Sequence, residues 1–300
     1  MGYLFLFIAL FAGVTKGYCG KKTSGYTNSF SDAILANTIR MILCTVIGLV
    51  IILASEGFSA LKPSPEMILI SALSGISTAI FVVSWLISVK KSAYMMLDIF
   101  LMFGVLIPLA ASNVFFNEVI KPTQWLGIAV LLAAVVIMCS YNNSIKEKIT
   151  LSSFALLIIC GIASGIADFS QKVFTKCIPD GSAAVFNFYT YLFAAFILII
   201  FYALSCKTKL SNGNSDIKKI FRYILIMALC LFANSYFKTL ASKHLSAVLL
   251  YPLNQGCALI LSAIMASVLF KEKITPKAVI GILTAFIGLL IINCFRTKKT

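Results

Sequence analysis

Six charged side chains interrupt long apolar stretches of the sequence: Lys16, Arg40, Asp98, Asp168, Lys172 and Lys238. In apolar surroundings a charge is costly unless it is paired, reaches water or meets a charged ligand. Four of these residues are cations and two are anions, so the set carries an excess of positive charge. The excess predicts a ligand with a carboxylate or phosphate group. We expect Arg40 or Lys16 to bind that group in the first half of the chain, and Lys172 or Lys238 in the second.

Asp98 is the acidic residue that we favour for function. It follows Tyr94 by four residues, which places both side chains on one face of a helix. We expect Asp98 to hold an ammonium group of a zwitterionic ligand or a coupling proton. Asp168 stands four residues before Lys172 in the same way and is the second candidate anion.

Two simpler interpretations of these charges stay open. Lys16, Lys172 and Lys238 lie near the ends of apolar segments, where a lysine can extend its ammonium group to the lipid headgroups. Arg40 and Asp98 could instead form an ion pair with a purely structural role.

A group of polar residues around a proline is the second candidate feature. Tyr251, Asn254 and Gln255 flank Pro252 within an apolar segment. A proline inside a helix leaves a backbone carbonyl without its donor and bends the helix, which suits the wall of a cavity. We predict that these three polar residues bind ligand together with Asn234 of the preceding segment. The alternative is that they join helices through hydrogen bonds.

The composition indicates what must position these residues. The chain has 300 residues, is 60% hydrophobic and 12% charged, and has a mean hydropathy of +1.00, which excludes an ordinary soluble domain. A helix that crosses the hydrocarbon core of a bilayer needs about 20 mostly apolar residues. We predict an all-α polytopic membrane protein with ten transmembrane helices, at residues 2–19, 32–54, 67–89, 93–116, 124–141, 151–172, 183–204, 221–243, 247–270 and 277–295. The fourth of these helices should bend at Pro108.

The charge distribution and the absence of catalytic motifs narrow the function. The formal net charge of +15 comes mostly from lysines and arginines in the short loops, which favours contact with anionic lipid headgroups and argues against a nucleic-acid partner. The sequence has one histidine, His244, and no motif of the HExxH or GxSxG kind. We therefore expect no enzymatic activity, no metal site and no cofactor. Trp85 and Trp125 are interpreted as anchors at the membrane interface.

The second half of the chain repeats the first. Residues 116–128 read FNEVIKPTQWLGI and residues 270–282 read FKEKITPKAVIGI, and the two segments align without a gap. Their shared glutamates, Glu118 and Glu272, and their prolines mark a turn between two apolar helices, where we interpret the glutamates as turn or capping residues. Five helices per half is an odd number, so the second half must enter the membrane from the opposite side. We place the two inverted repeats at residues 1–144 and 145–300.

Glycines spaced by four residues occur in the first helix of each repeat. Gly13 and Gly17 form one such pair, and Gly161 and Gly165 form the other. This spacing lets two helix backbones approach closely, so we predict close helix crossings at both pairs.

With two five-helix halves, each carrying an F-x-E-x-x-x-P turn before a helix that opens with W-L-G or V-I-G, the sequence resembles the EamA-like branch of the drug/metabolite transporter superfamily. The resemblance implies ten helices and transport of a small metabolite. It also implies a central cavity lined chiefly by the first, third, fourth, sixth, eighth and ninth helices. Two positions depart from the repeat, because Asp98 aligns with Pro252 and Gln124 aligns with Ala278.

We expect a secondary transporter that moves a small anionic or zwitterionic metabolite by alternating access, in the bilayer of a bacterial plasma membrane. Two alternatives stay open: a flippase for a lipid-linked substrate, and a membrane protein with a structural or sensory role and no transport. A coupling proton is a further possibility, and monomer and homodimer are both open. The loop charges predict termini outside the cell, whereas the resemblance implies cytoplasmic termini.

Overall fold

The computed structural model describes residues 1–27, 29–91, 94–139, 151–207, 217–270 and 276–294. Glu272 and the linker at 142–150 lie outside the described residues. The backbone of Tyr94 and Asp98 is described, but their side chains are not.

The described ranges contain eleven α-helices, one short 3-10 helix at Phe58–Leu61 and no β-strand. The helices are α1 (Gly2–Ser24), α2 (Phe30–Ser55), α3 (Pro65–Lys91), α4 (Tyr94–Gly104), α5 (Leu106–Phe116), α6 (Pro122–Cys139), α7 (Leu151–Cys177), α8 (Ala183–Lys207), α9 (Ile217–His244), α10 (Ala247–Phe270) and α11 (Pro276–Cys294).

The helices have the length and composition of membrane spans. Within the described residues, six are long and apolar enough to cross a bilayer, and four shorter apolar helical stretches accompany them: Phe100–Phe116, Pro122–Ala134, Ala247–Ser262 and Val279–Ile292. Large apolar side chains such as Phe7, Phe201 and Leu283 are more than half exposed, as expected of surfaces that face lipid. The all-α membrane fold is therefore confirmed, while the count of ten spans stays a prediction.

The predicted fourth helix is broken into α4 and α5, and the break lies at Val105 and not at Pro108. The Val105 N–H donates to the Met102 carbonyl at 3.1 Å, a tighter turn than the α-helix makes. Pro108 has no N–H, and its ring would clash with the carbonyl of the residue four positions earlier, Gly104. The interruption therefore appears about one turn before the proline, which lies in the first turn of α5.

The turn between α5 and α6 explains the repeated FxE motif. Asn117 ends α5 in the left-handed conformation, with φ of 52°. The Asn113 side chain then donates to the Glu118 carbonyl at 3.1 Å, and the Gln124 side chain accepts from the Lys121 N–H at 3.1 Å. Pro122 is the first residue of α6, where its missing N–H costs nothing. The turn thus projects the Glu118 side chain away from its own two helices.

Each major contact between helices of the two halves recurs when every helix is replaced by its counterpart in the other half. Helix α1 packs on α9 and α7 packs on α3, while α2 packs on α8 and α6 on α11. The lesser contacts follow the same rule, because α1 meets α10 as α7 meets α4. This is the contact pattern of two repeats related by an approximate two-fold axis. The repeat boundaries and the direction of that axis stay predictions.

The predicted close crossing at Gly161 and Gly165 is confirmed. A Cβ atom added to Gly161 would collide with the Phe100 carbonyl, and one added to Gly165 would collide with the Gly104 carbonyl. Helices α7 and α4 therefore touch backbone to backbone. At Gly13 the neighbour is the Asn234 side chain, whose nitrogen would lie 3.0 Å from an added Cβ, so that contact is between a helix and a side chain.

Candidate functional site

A cavity of about 130 Å³ lies among helices from both halves. Such a volume holds several water molecules or one small polar molecule. Its wall comes from α1, α3, α4, α7, α9 and α10, with one residue of α8. Six of the residues that the sequence singles out line it: Lys16, Asp168, Asn234, Lys238, Asn254 and Gln255.

Asp168 and Lys238 form an ion pair in the cavity wall. The Lys238 Nζ lies 2.5 Å from the Asp168 Oδ1, and both side chains are about one-eighth exposed. The pair joins α7 to α9, and its positive and negative charges neutralise each other. The expectation that Lys238 extends to the headgroups is wrong, because its ammonium group ends at this carboxylate.

Lys16 lines the cavity and has no carboxylate partner among the side chains that the structure describes. Its ammonium group lies 5.9 Å from the centre of the Phe81 ring, a favourable cation–π distance. No described residue forms a salt bridge with it. The cavity lining therefore keeps one uncancelled positive charge among the described side chains.

Arg40 is a second cation close by that no described side chain neutralises. The residue is 3% exposed, and its Nε atom has no hydrogen-bond acceptor among the described residues. It lies near enough to Tyr191, which lines the cavity, and to Lys16 for their charges to interact. Arg40 forms no ion pair with any described side chain. The proposed pair with Asp98 concerns a side chain outside the described ones.

Lys172 does not reach the cavity, contrary to its predicted ligand role. Its Nζ lies 2.9 Å from Glu118 Oε1 and donates to the Leu245 carbonyl at 3.0 Å, and its side chain is 2% exposed. With its amine occupied by protein atoms, we assign Lys172 to the contact between the halves. The headgroup interpretation is wrong for this residue too.

Glu118 is a capping residue, as predicted, and also an ion-pair partner. Its Oε2 accepts the Ala247 N–H at 2.7 Å at the start of α10, while its Oε1 meets Lys172 and, at 3.2 Å, Lys176. Partial burial alone would raise the pKa of this carboxyl. The charges of Lys172 and Lys176 and the Ala247 hydrogen bond outweigh that effect, so the pKa lies below its usual range.

The polar residues near Pro252 divide into two kinds. The buried Tyr251 donates its hydroxyl to the Asp168 carbonyl at 2.6 Å and so lies behind the cavity wall. Asn234 donates to the Ala9 carbonyl at 2.6 Å, so both residues join helices in the way the alternative interpretation describes. Asn254 and Gln255 face the cavity, and no group among the described residues donates a hydrogen bond to the Asn254 Oδ1.

The wall residues that sequence reasoning missed include Trp85, Gln171 and Ser235. Trp85 is 5% exposed, lines the cavity and lies against Gly20, so its interpretation as an interfacial anchor is wrong. Trp125 is 46% exposed, which fits an anchor. Gln171 and Ser235 also line the cavity. Gln171 follows Asp168 by three residues, and this shared helix face is the signal that could have identified it.

Comparison with known proteins agrees with this architecture. Residues 146–294 match the model of the EamA-like transporter family. A search of curated proteins finds no significant match. A solved structure titled "Crystal structure of protein" is similar to the chain with a TM-score of 0.76 and 13% identity, over 98% of this chain and 96% of that one. At this identity the similarity concerns the fold alone.

Proposed function

Since the chain belongs to the EamA-like transporter family of the drug/metabolite transporter superfamily, we propose that it moves a small organic anion through the cavity between its halves. The single observation that carries the proposal is the Lys16 ammonium group, which lines the cavity and forms no ion pair with a carboxylate among the described side chains. A cation in low-dielectric surroundings is stabilised by an anion brought from outside.

The charges around the cavity favour an anion over a cation. Lys238 and Asp168 cancel one another, Lys16 remains, and Arg40 adds a positive charge close by. A cationic substrate would meet like charges, which repel strongly where water is scarce. A substrate carboxylate or phosphate would instead pair with the Lys16 ammonium group. A zwitterion needs in addition an acceptor for its ammonium group, the role that the sequence assigns to Asp98.

The two repeats supply a means of movement. Helices of both halves form the cavity wall, so rocking one half against the other would open it to either side in turn. The Glu118–Lys172 pair joins the halves at one end of α7, one turn beyond Asp168. In our proposal this contact closes that end of the cavity and parts when the cavity opens there.

The Lys16→Gln variant tests the anion site. Loss of a charge-assisted contact is expected to weaken binding of small carboxylates or phosphate esters by about ten- to a hundredfold. A thermal-shift screen of the purified protein finds the ligands, and flux into proteoliposomes measures transport of the best one. The matched control is Lys62→Gln, at an exposed lysine outside the cavity. Unchanged anion binding in Lys16→Gln, or a screen that yields cations alone, would contradict the proposal.

A further inference from the structure

A relay of hydrogen bonds runs from the cavity wall into the protein and fixes the orientation of one amide. Gln171 Nε2 donates to Ser235 Oγ at 2.9 Å, and Ser235 Oγ donates to Asn187 Oδ1 at 2.5 Å. Asn187 Nδ2 donates in turn to the Ala183 carbonyl at 2.7 Å. The relay links α7, α9 and α8.

The direction of the relay follows from its last acceptor. A backbone carbonyl accepts and does not donate, so the atom of Asn187 that contacts Ala183 must be the nitrogen. Asn187 therefore presents its oxygen to Ser235, whose single hydroxyl proton is used in that bond. Ser235 must then accept a hydrogen bond from Gln171. The amide nitrogen of Gln171 therefore faces Ser235, and the amide oxygen of Gln171 has no role in the relay.

The remaining Gln171 Oε1 atom has no donor among the described residues. Gln171 is 5% exposed and lines the cavity, and its Oε1 is a buried oxygen to which no described group donates a hydrogen bond. Leaving such a buried acceptor unsatisfied is unfavourable. Asn254 Oδ1, from α10, is a second buried acceptor in the same wall to which no described group donates. The protein thus holds two acceptors for donors that a bound molecule would supply.

We propose that Gln171 recognises a hydroxyl group of the substrate, so that the transported anion is a hydroxylated one. This rests on the proposed anion transport and adds a second point of recognition to Lys16. Both acceptors are neutral amides, and the one described carboxylate in the cavity wall, Asp168, is already paired with Lys238. Since Lys16 is also unpaired among the described side chains, an ammonium group would meet net positive charge from them, whereas a hydroxyl donates without that repulsion.

Three carboxylates of equal carbon number test the proposal: propionate, lactate and alanine, which carry hydrogen, hydroxyl and ammonium at the same carbon. Saturation-transfer NMR on the full-length protein in detergent measures the dissociation constant of each. In the wild type we expect lactate to bind about tenfold or more tighter than propionate, because propionate leaves the acceptor unsatisfied. Alanine should bind more weakly than lactate.

Gln171→Leu should bind lactate and propionate equally. Gln171→Glu keeps the side-chain shape and adds a negative charge, and should raise alanine binding relative to lactate. This variant also tests the role of Gln171 in ligand selectivity if the leucine variant fails to fold. Ser170→Ala is the matched control, since Ser170 is a buried neighbour on α7 whose hydroxyl is bonded to Ile166 and does not line the cavity.

The outcomes separate this proposal from the anion site. Equal binding of lactate and propionate by the wild type, with Lys16→Gln weakening both, would overturn hydroxyl recognition and leave the anion site standing. Tighter binding of alanine than lactate would also overturn it. If Gln171→Leu still prefers lactate to propionate, Gln171 is not the residue that recognises the hydroxyl group. If none of the three carboxylates binds, hydroxyl recognition of a carboxylate fails, while the ligand screen with Lys16→Gln still decides the anion site.

Discussion

Replacing Glu118 with alanine is expected to lower the unfolding free energy by about 3–5 kcal/mol, because it leaves the Lys172 ammonium group buried without its partner. Lys172 has a side chain that is 2% exposed, so water does not replace the lost carboxylate. The start of α10 also loses the acceptor for the Ala247 N–H. Unfolding by denaturing detergent, followed through the fluorescence of the buried Trp85, measures the loss.

Two further variants locate the source of this effect. Lys176 is 43% exposed, so Lys176→Ala should change stability by at most about 1 kcal/mol. The double variant Glu118→Ala with Lys172→Met removes both buried charges and should recover much of the stability, since buried pairs are often replaceable by apolar groups. If the double variant is as unstable as Glu118→Ala alone, the buried charge is not the cause.

The same ion pair makes stability depend on pH on the acid side. The pKa of Glu118 is lowered in the folded state, so its contribution is complete above the ordinary glutamate pKa of about 4.3 and is lost as the pH falls through the lower folded value. The stability difference between wild type and Glu118→Ala should therefore shrink below about pH 4. Unfolding curves at a series of pH values test this, and a difference that stays constant down to pH 2 would contradict it.

Adding one methyl group to Gly161 is expected to destabilise the protein by about 1–3 kcal/mol. The new Cβ would collide with the Phe100 carbonyl, and a backbone atom cannot move aside as a flexible side chain can. Helices α4 and α7 would have to separate, and both contribute to the cavity wall through Leu101 and Asp168. We therefore expect weaker ligand binding along with a lower melting temperature.

Gly25→Ala is the matched control for Gly161→Ala. Gly25 has a φ of −65°, and the nearest atom to an added Cβ lies 3.6 Å away, so alanine fits without strain. It should be neutral or stabilise by up to about 1 kcal/mol through the unfolded state. Equal melting temperatures for Gly161→Ala and wild type would show that the two backbones are not in contact.

The sequence by itself predicted the features that depend on local composition. Apolar segments of membrane length determine an all-α membrane fold, because backbone groups in lipid must bond within their own helix. The FxE turn followed from glutamate and proline between two apolar segments, and the crossing at Gly161 from small residues at one helix spacing. The charged residues of the cavity wall, Lys16, Asp168 and Lys238, could be found as well, since a charge inside an apolar helix must face protein or a wet cavity.

Only the tertiary structure decides which charged side chains pair and neutralise one another. Asp168 and Lys238 lie on different helices 70 positions apart, and Glu118 and Lys172 come from different halves. A count along the sequence gives four cations and two anions within the helices. That count omits Glu118, a turn residue, which neutralises Lys172. Pairing depends on how helices pack and not on spacing along one of them. Only the assembled cavity shows that Lys16 keeps its charge and that the Gln171 oxygen lacks a donor among the described residues. Both depend on which groups the fold brings within bonding distance.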